Sequence, residues 1–295
     1  MRSLRHGGLQ TIFALSVWAF MSFSSSVAHA APRHIVCVES VWCRIAQDIG
    51  GESVTTQALI TSQDLDPHHL HPTPSMARQL AQADAALING ATYDDWALPL
   101  SENTPLRMVA TDYAPSWKEG DDPHLFFDPD TVYHFGEHFA HWLISQAPDH
   151  KAAIEARLNT FQRHYDAITQ HLASLNARFH GQAIAVTEPA GERLLHRAGL
   201  HVVDQSWAHA IMNDSGVSPR ETAALEGAIT QKTVRFLLVN PTVTSPQIDR
   251  LVSLAQTHSV PVLRLGETLP SGLSWAEWMS TILDPIDRAL SQSTP

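Results

Sequence analysis

Two periods of apolar and polar residues alternate along this chain. Short apolar, β-branched runs at residues 34–38, 54–60, 85–89 and 108–111 read as strands, and residues 41–49 and 74–83 between them carry the helical repeat. Gly50-Gly51 stops the first of these helices. Thr73 caps the second, with Pro74 at its first position. A further helical stretch covers 131–145 and ends at Pro148. Beyond it Ile154, Leu158, Phe161, Tyr165, Ile168, Leu172 and Leu175 follow one another in steps of four and three. That spacing predicts an unbroken helix over 149–179 with a narrow apolar seam, roughly 40 Å long at 1.5 Å per residue. The alternation then resumes, with strands expected at 183–187, 201–204, 234–239 and 261–265. Helices are expected at 188–198, 219–231, 245–258 and 275–290, the last kinked or interrupted at Pro285. Strand and helix in turn at this pitch predict parallel sheets. The expected architecture is α/β: two lobes, 31–148 and 181–295, each a parallel sheet flanked by helices, joined by a long linker helix at 149–180.

Residues 1–30 stand apart from this pattern. Arg2 and Arg5 precede an apolar run at 11–20 that is too short to span a bilayer, and Ala28-His29-Ala30 is a small-x-small cleavage pattern. Together they read as a cleaved secretory signal peptide, which places the mature chain in the periplasm. Arg2 and Arg5 are the only formally charged residues in that segment. Removing them from the 19 basic residues leaves 17 against 30 acidic ones, a formal charge of −13. That balance argues against nucleic acid or an anionic membrane as partner. An exported chain could oxidise its two cysteines, Cys37 and Cys43. One falls on a strand and the other on the next helix, which does not of itself bring their Cβ atoms together, so no disulfide is predicted. Neither belongs to a Cys-x-x-Cys pair, which excludes a thiolate zinc knuckle.

Candidate chemistry concentrates in Asp64-Leu65-Asp66-Pro67-His68-His69-Leu70-His71-Pro72-Thr73-Pro74-Ser75. Three prolines stiffen this loop, and three histidines project from it. In open parallel sheets ligands bind outside the carboxyl ends of the strands. His68 lies in the loop after 54–60, and His124, again in an Asp-Pro-His run, in the loop after 108–111. Glu188 directly follows the strand ending at Thr187, and Glu267 follows 261–265 with one glycine between. Two candidates come from each half, so lobes that face each other would bring all four to one cleft. Two neutral imidazoles and two carboxylates make a neutral complex with a divalent ion, and the set suits zinc, manganese and iron(II). His134, His138, His141, His164, His171 and His196 fall on helices and are expected at the solvent or at packing interfaces. His69 and His71 read as solvated neighbours of His68.

The residues carry a resemblance. Asp66-Pro67-His68 through Pro72-Thr73-Pro74-Ser75, Ala83-Asp84 through Asn89-Gly90 to Trp96, and Asp122-Pro123-His124-Leu125-Phe126-Phe127-Asp128-Pro129 resemble the motifs of the metal-binding solute-binding proteins of bacterial zinc/manganese ABC importers. In that family two lobes are joined by a rigid helix. The resemblance implies a non-enzymatic receptor that holds one divalent ion through His68, His124, Glu188 and Glu267. It implies delivery of the ion to an inner-membrane permease with its ATPase, and a monomer. Glu at the third position, in Thr187-Glu188-Pro189, leans toward the manganese-type members, while zinc accepts the same donors and binds them more tightly. Two other classes share the donor set. An exported zinc metallohydrolase would need an open coordination position beside a general base such as Asp66 or Asp122. A metal-buffering chaperone or adhesin would have no transporter. No His-Glu-x-x-His, Gly-x-Ser-x-Gly or phosphate-cradling glycine loop accompanies the ligands.

Overall fold

A computed structural model describes residues 31–62 and 70–292. In the first half β1 (Arg33–Glu39) runs straight into α1 (Ser40–Gly50), and β2 (Val54–Ile60) follows. After these come α2 (Pro74–Gln82), β3 (Ala85–Ile88), the short α3 (Ala97–Leu100) and β4 (Leu106–Val109). The four strands are parallel in the order β2-β1-β3-β4. α4 (Pro129–Gln146) leads through a 3-10 turn at Pro148–His150 into α5 (Lys151–Phe179), a single helix of 29 residues. Its buried residues Ile154, Phe161, Ile168, Leu172 and Leu175 form the expected seam.

The second half contains β5 (Ala183–Val186), α6 (Glu192–Arg197), β6 (His201–Val202), α7 (Gln205–Met212) and α8 (Pro219–Thr230). It continues with β7 (Leu237–Val239), α9 (Pro246–Thr257), β8 (Val262–Arg264) and α10 (Trp275–Ser291). These strands are also parallel, in the order β6-β5-β7-β8. The first half's order is thus repeated. Each sheet has its switch point between its two central strands, where crossovers leave in opposite directions and open a crevice at the carboxyl ends.

Period-two alternation decides which core each strand residue joins. Val36, Val38 and Ile88 pack with Leu80 on the outer face of the first sheet, and Ala185, Leu237 and Val239 pack with Trp207, Leu225 and Leu251 on that of the second. The opposite faces, with Ile35, Cys37 and Leu87 from one sheet and Ile184, Val186 and Leu238 from the other, belong to one continuous core that includes α1, α4, α5 and α10. α10 reaches from the second half onto the first. Trp275 Nε1 donates to the Phe126 carbonyl at 2.9 Å, and the Trp278 ring lies 5.9 Å from Phe126 and 5.0 Å from Phe127, centroid to centroid. Arg193 on α6 adds ion-pair contacts at 3.6 Å to both Asp121 and Asp128.

The structure departs from expectation in several places. Cys37 and Cys43 form a disulfide, with Cα atoms 5.5 Å apart. No loop separates β1 from α1, so the first helical turn folds back over the end of the strand and brings the two side chains within bridging range. α6 begins at Glu192 and not at 188, because Gly191 adopts a left-handed φ of +81° and residues 187–191 stay irregular. α3 and α7 were not anticipated. α10 continues through Pro285 without interruption.

Gly136 marks the closest approach of α4 and α5. A Cβ there would meet Phe161 Cε1 at 2.8 Å and Ile49 Cδ1 at 3.1 Å. Gly136→Ala is therefore expected to destabilise the chain by about 1–3 kcal/mol through overpacking. Urea denaturation checks this, and an unchanged midpoint would mean that the aromatic ring yields without cost.

Candidate metal centre

Of the expected ligands within the described residues, Glu188 and Glu267 lie just past the ends of β5 and β8, and His124 lies in the loop that follows β4. After β4 the chain makes a 3-10 turn (Ala110–Tyr113) and a loop that presents His124, then a second turn at Leu125–Phe127 whose three side chains are all buried. Asn89, the residue after β3, ties this loop down: its amide donates to the Pro123 carbonyl at 2.8 Å and to the Gly90 carbonyl at 2.9 Å. His124 is fully buried. Its Nδ1 lies 2.6 Å from Asp122 Oδ1. A carboxylate can only accept, so Nδ1 carries a proton toward Asp122, and Nε2 is the ring nitrogen that faces the crevice.

On the other side of the crevice Glu188 and Glu267 are 4 % and 3 % exposed. The irregular stretch before α6 leaves Glu188 facing the crevice at the end of β5. A single amide bridges the two carboxylates: Asn240 Nδ2, from the residue after β7, donates to both Glu188 Oε2 and Glu267 Oε1. Asn240 is held in turn by Thr242, whose amide and hydroxyl donate to its Oδ1 at 3.1 and 2.8 Å. The remaining Glu267 oxygen, Oε2, lies 3.1 Å from His124 Nε2, which joins the two halves of the centre.

Burial and close carboxylates shift the protonation of this cluster. Burial pushes Glu188 up to about 8, and the neighbouring Glu267 charge adds to the rise while His124 and the Asn240 amide oppose it. Burial opposes the charged form of His124, yet the Glu267 and Asp122 carboxylates hold its imidazole well above the usual value. Further back, Glu39 at the end of β1 is fully buried, with Oε2 accepting from Ser40 N at 2.8 Å and Oε1 lying 3.5 Å from the Tyr93 hydroxyl. Burial pushes this carboxyl to about 8, against the Ser40 amide, with Asp94 and Glu267 contributing to the rise. The Tyr93 ring meets the His124 ring edge-to-face, 5.3 Å between centroids.

Of the four expected ligands, His124 thus touches Glu267, and Asn240 joins Glu267 to Glu188. His68 lies outside the described residues, as do His69, Asp64 and Asp66. His71 is exposed. The helical histidines His134, His138, His141, His164 and His196 are exposed too, and His171 is half-buried. Among the described residues no three His, Cys, Asp or Glu side chains stand already gathered as a metal cage. Sequence reasoning missed Asn89, Asn240 and Glu39. The signal that could have found them is position: each is a polar residue at the carboxyl end of a central strand.

Two parallel sheets of one topology, a long joining helix and a buried carboxylate–imidazole centre at the strands' carboxyl ends describe a two-lobe solute-binding protein. A sequence profile of the zinc-uptake complex component A, periplasmic (ZnuA), matches residues 35–289, and the chain belongs to that family. This bears out the resemblance to metal-binding solute-binding proteins of ABC importers. Among solved structures, the periplasmic zinc binding protein TroA from Treponema pallidum superposes with a TM-score of 0.72 at 18% identity, over 88% of this chain and all of that one. The laminin binding protein Lmb of Streptococcus agalactiae, described as having adhesin and metal transporting activity, gives 0.71 at 15% identity, over 88% of this chain and all of that one. The metal-dependent lipoprotein YcdH from Bacillus subtilis gives 0.71 at 17% identity, over 87% of this chain and 99% of that one. At these identities the likeness is one of fold.

Removing the Asn240 amide tests the clamp. Asn240→Leu is expected to cost the metal-free protein about 1–3 kcal/mol, the usual penalty for stranding buried acceptors. The loss should grow above pH 8. Glu188 titrates at about 8 in the folded chain, so it is neutral below that pH and needs the donor most once ionised. Urea midpoints in chelator at pH 6 and pH 9 check this, and equal losses at both would show that Asn240 does not support the charged carboxylates.

Proposed function

We propose that this protein captures one divalent transition metal, zinc or manganese, in the crevice between its two sheets and passes it to an inner-membrane ABC permease driven by its ATPase. His68, His124, Glu188 and Glu267 are the ligands. The lobes are 31–148 and 181–295 with residues 149–180 as the link, and the mature chain is a periplasmic monomer released from a signal peptide at 1–30. It binds its cargo without transforming it.

The observation that supports this reading most is the continuous contact from Asp122 through His124 and Glu267 to Asn240 and Glu188. It supplies an oriented imidazole, two carboxylates and a supporting partner behind each, as a metal centre requires. The same contacts weigh against the hydrolase alternative. Asp122, a candidate base, is occupied with the His124 Nδ1 proton and stands behind the imidazole from the ligand atom. Membership of a zinc-uptake family supports the transport role, and among the described residues no helix is long and apolar enough to cross a membrane.

Protein exported and purified from the periplasm, stripped and titrated with zinc or manganese, is expected to take up one equivalent of either. His124→Ala or His68→Ala should weaken binding by orders of magnitude. Undiminished binding in the double variant would remove both residues from the site. Uptake at pH 7 should also release protons, since Glu188, at about 8, is largely protonated when metal-free and must ionise to ligate. Affinity should therefore rise with pH toward 8 and fall on acidification. Calorimetry in two buffers of different ionisation enthalpy reads the proton count directly. Identical heats in both would show that no proton is displaced.

A further inference from the structure

The two sheets can be aligned residue by residue through their central pairs. In the first, Cys37 on β1 pairs with Leu87 on β3; in the second, Val186 on β5 pairs with Leu238 on β7. Two residues beyond Leu87 is Asn89, and two beyond Leu238 is Asn240. Both are buried asparagines whose side-chain amides fasten the neighbouring ligand segment. The register extends to the other central strand. Two residues beyond Cys37 is Glu39, and two beyond Val186 is Glu188. Glu39 is therefore the first half's counterpart of a carboxylate that faces the metal.

Its surroundings agree with that placement. Glu39 is 0 % exposed, and among the described residues no Lys or Arg pairs with it. It accepts from the Ser40 amide and the Tyr93 hydroxyl, and Tyr93 lies against the His124 ring. A buried carboxylate without a cationic partner is costly to keep in a core. A purely structural role would be filled as well by glutamine, whose oxygen can accept from the Ser40 amide and whose NH2 can donate to the Tyr93 hydroxyl, without the charge. Placed at the switch point behind the ligands, the charge acquires a use when a dication enters the crevice.

We propose that Glu39 is a specificity-determining carboxylate of the metal centre, supplied by the first half where the second supplies Glu188, and that it favours manganese over zinc. The proposal rests on the metal-binding reading of the crevice. Zinc closes its shell with four donors, which His68, His124, Glu188 and Glu267 provide. Manganese is a harder ion that takes six ligands, preferably oxygen, so an additional hard anionic oxygen beside the centre stabilises it more.

The test is competitive titration of the metal-free full chain with Zn²⁺ and Mn²⁺, in the wild type, Glu39→Gln and Tyr93→Phe. Glu39→Gln removes the charge while its oxygen still accepts from Ser40 N–H and its NH2 can donate to the Tyr93 hydroxyl, which reverses that one hydrogen bond. It is expected to lower Mn²⁺ affinity by about tenfold or more, the range for loss of a supporting group, while Zn²⁺ affinity changes far less. Tyr93→Phe keeps the charge and should move both ions alike. An unchanged ratio of Mn²⁺ to Zn²⁺ affinities in Glu39→Gln overturns the proposal, whether the two affinities fall together or stay put. A wild type that binds neither ion overturns the reading of the crevice itself, and the role of Glu39 with it.

Discussion

Two carboxylates that would repel each other are held side by side in the interior of this protein, and the rest of the molecule is arranged to keep them there. Glu188 and Glu267 come from different strands of one sheet, and a single Asn240 amide accounts for their meeting. Burial of like charges normally ends in protonation of one of them, and the raised pKa of Glu188 records that tendency. Against it stand a neutral donor, Asn240, and an imidazole, His124, tuned by Asp122 toward its charged form. Neither compensates fully. A site built this way holds its carboxylates only at the cost of a raised proton affinity, so its charge state depends on what occupies the crevice.

Keeping such a site open requires that its two walls stay in place. One wall is the second sheet, and the other is the His124 loop of the first half. Between them run interactions that do not involve the ligands. α10 places Trp275 and Trp278 against Phe126 and Phe127, immediately after His124 in the chain. Arg193, a few residues past Glu188, reaches Asp121 and Asp128 on either side of the same loop. With α5 and this continuous core shared between the halves, wide hinge opening would have to break a packed aromatic cluster. Movement of individual loops would not.

Much of this was legible in the chain. Burial on both faces makes the central strands of a parallel sheet continuous apolar runs, so 34–38, 85–89 and 183–187 announced themselves. Once strands were placed, the rule that ligands gather at their carboxyl ends pointed to His68, His124, Glu188 and Glu267, and the last three lie close together in the structure. What escaped was whatever depended on contacts distant in sequence or on details at a junction. Asn240 looks like an ordinary turn residue in Val-Asn-Pro; its role appears only when β5 and β8 flank β7. The Cys37–Cys43 bridge depends on a strand passing into a helix with no intervening residue, a junction that periodicity locates only to within a few positions. Glu39 sits at that same junction, one residue past the apolar run at 34–38.

The repeated strand order suggests why polar residues recur at equivalent positions with different partners. A parallel four-stranded sheet offers the same few places at its switch point, whichever half it belongs to. In the second half those places are filled by Glu188 and Asn240, which bind one another. In the first they are filled by Glu39 and Asn89, which do not: Asn89 turns to the Pro123 carbonyl and Glu39 to Ser40 and Tyr93. The difference follows from the added loop before α4. His124 must be delivered into the crevice from β4, and the asparagine that would have clamped a carboxylate is used to anchor that loop. Glu39 is left without a side-chain amide partner, behind the aromatic ring that buttresses the histidine. One topology used twice thus yields an asymmetric centre, with paired carboxylates on one wall and an anchored imidazole on the other.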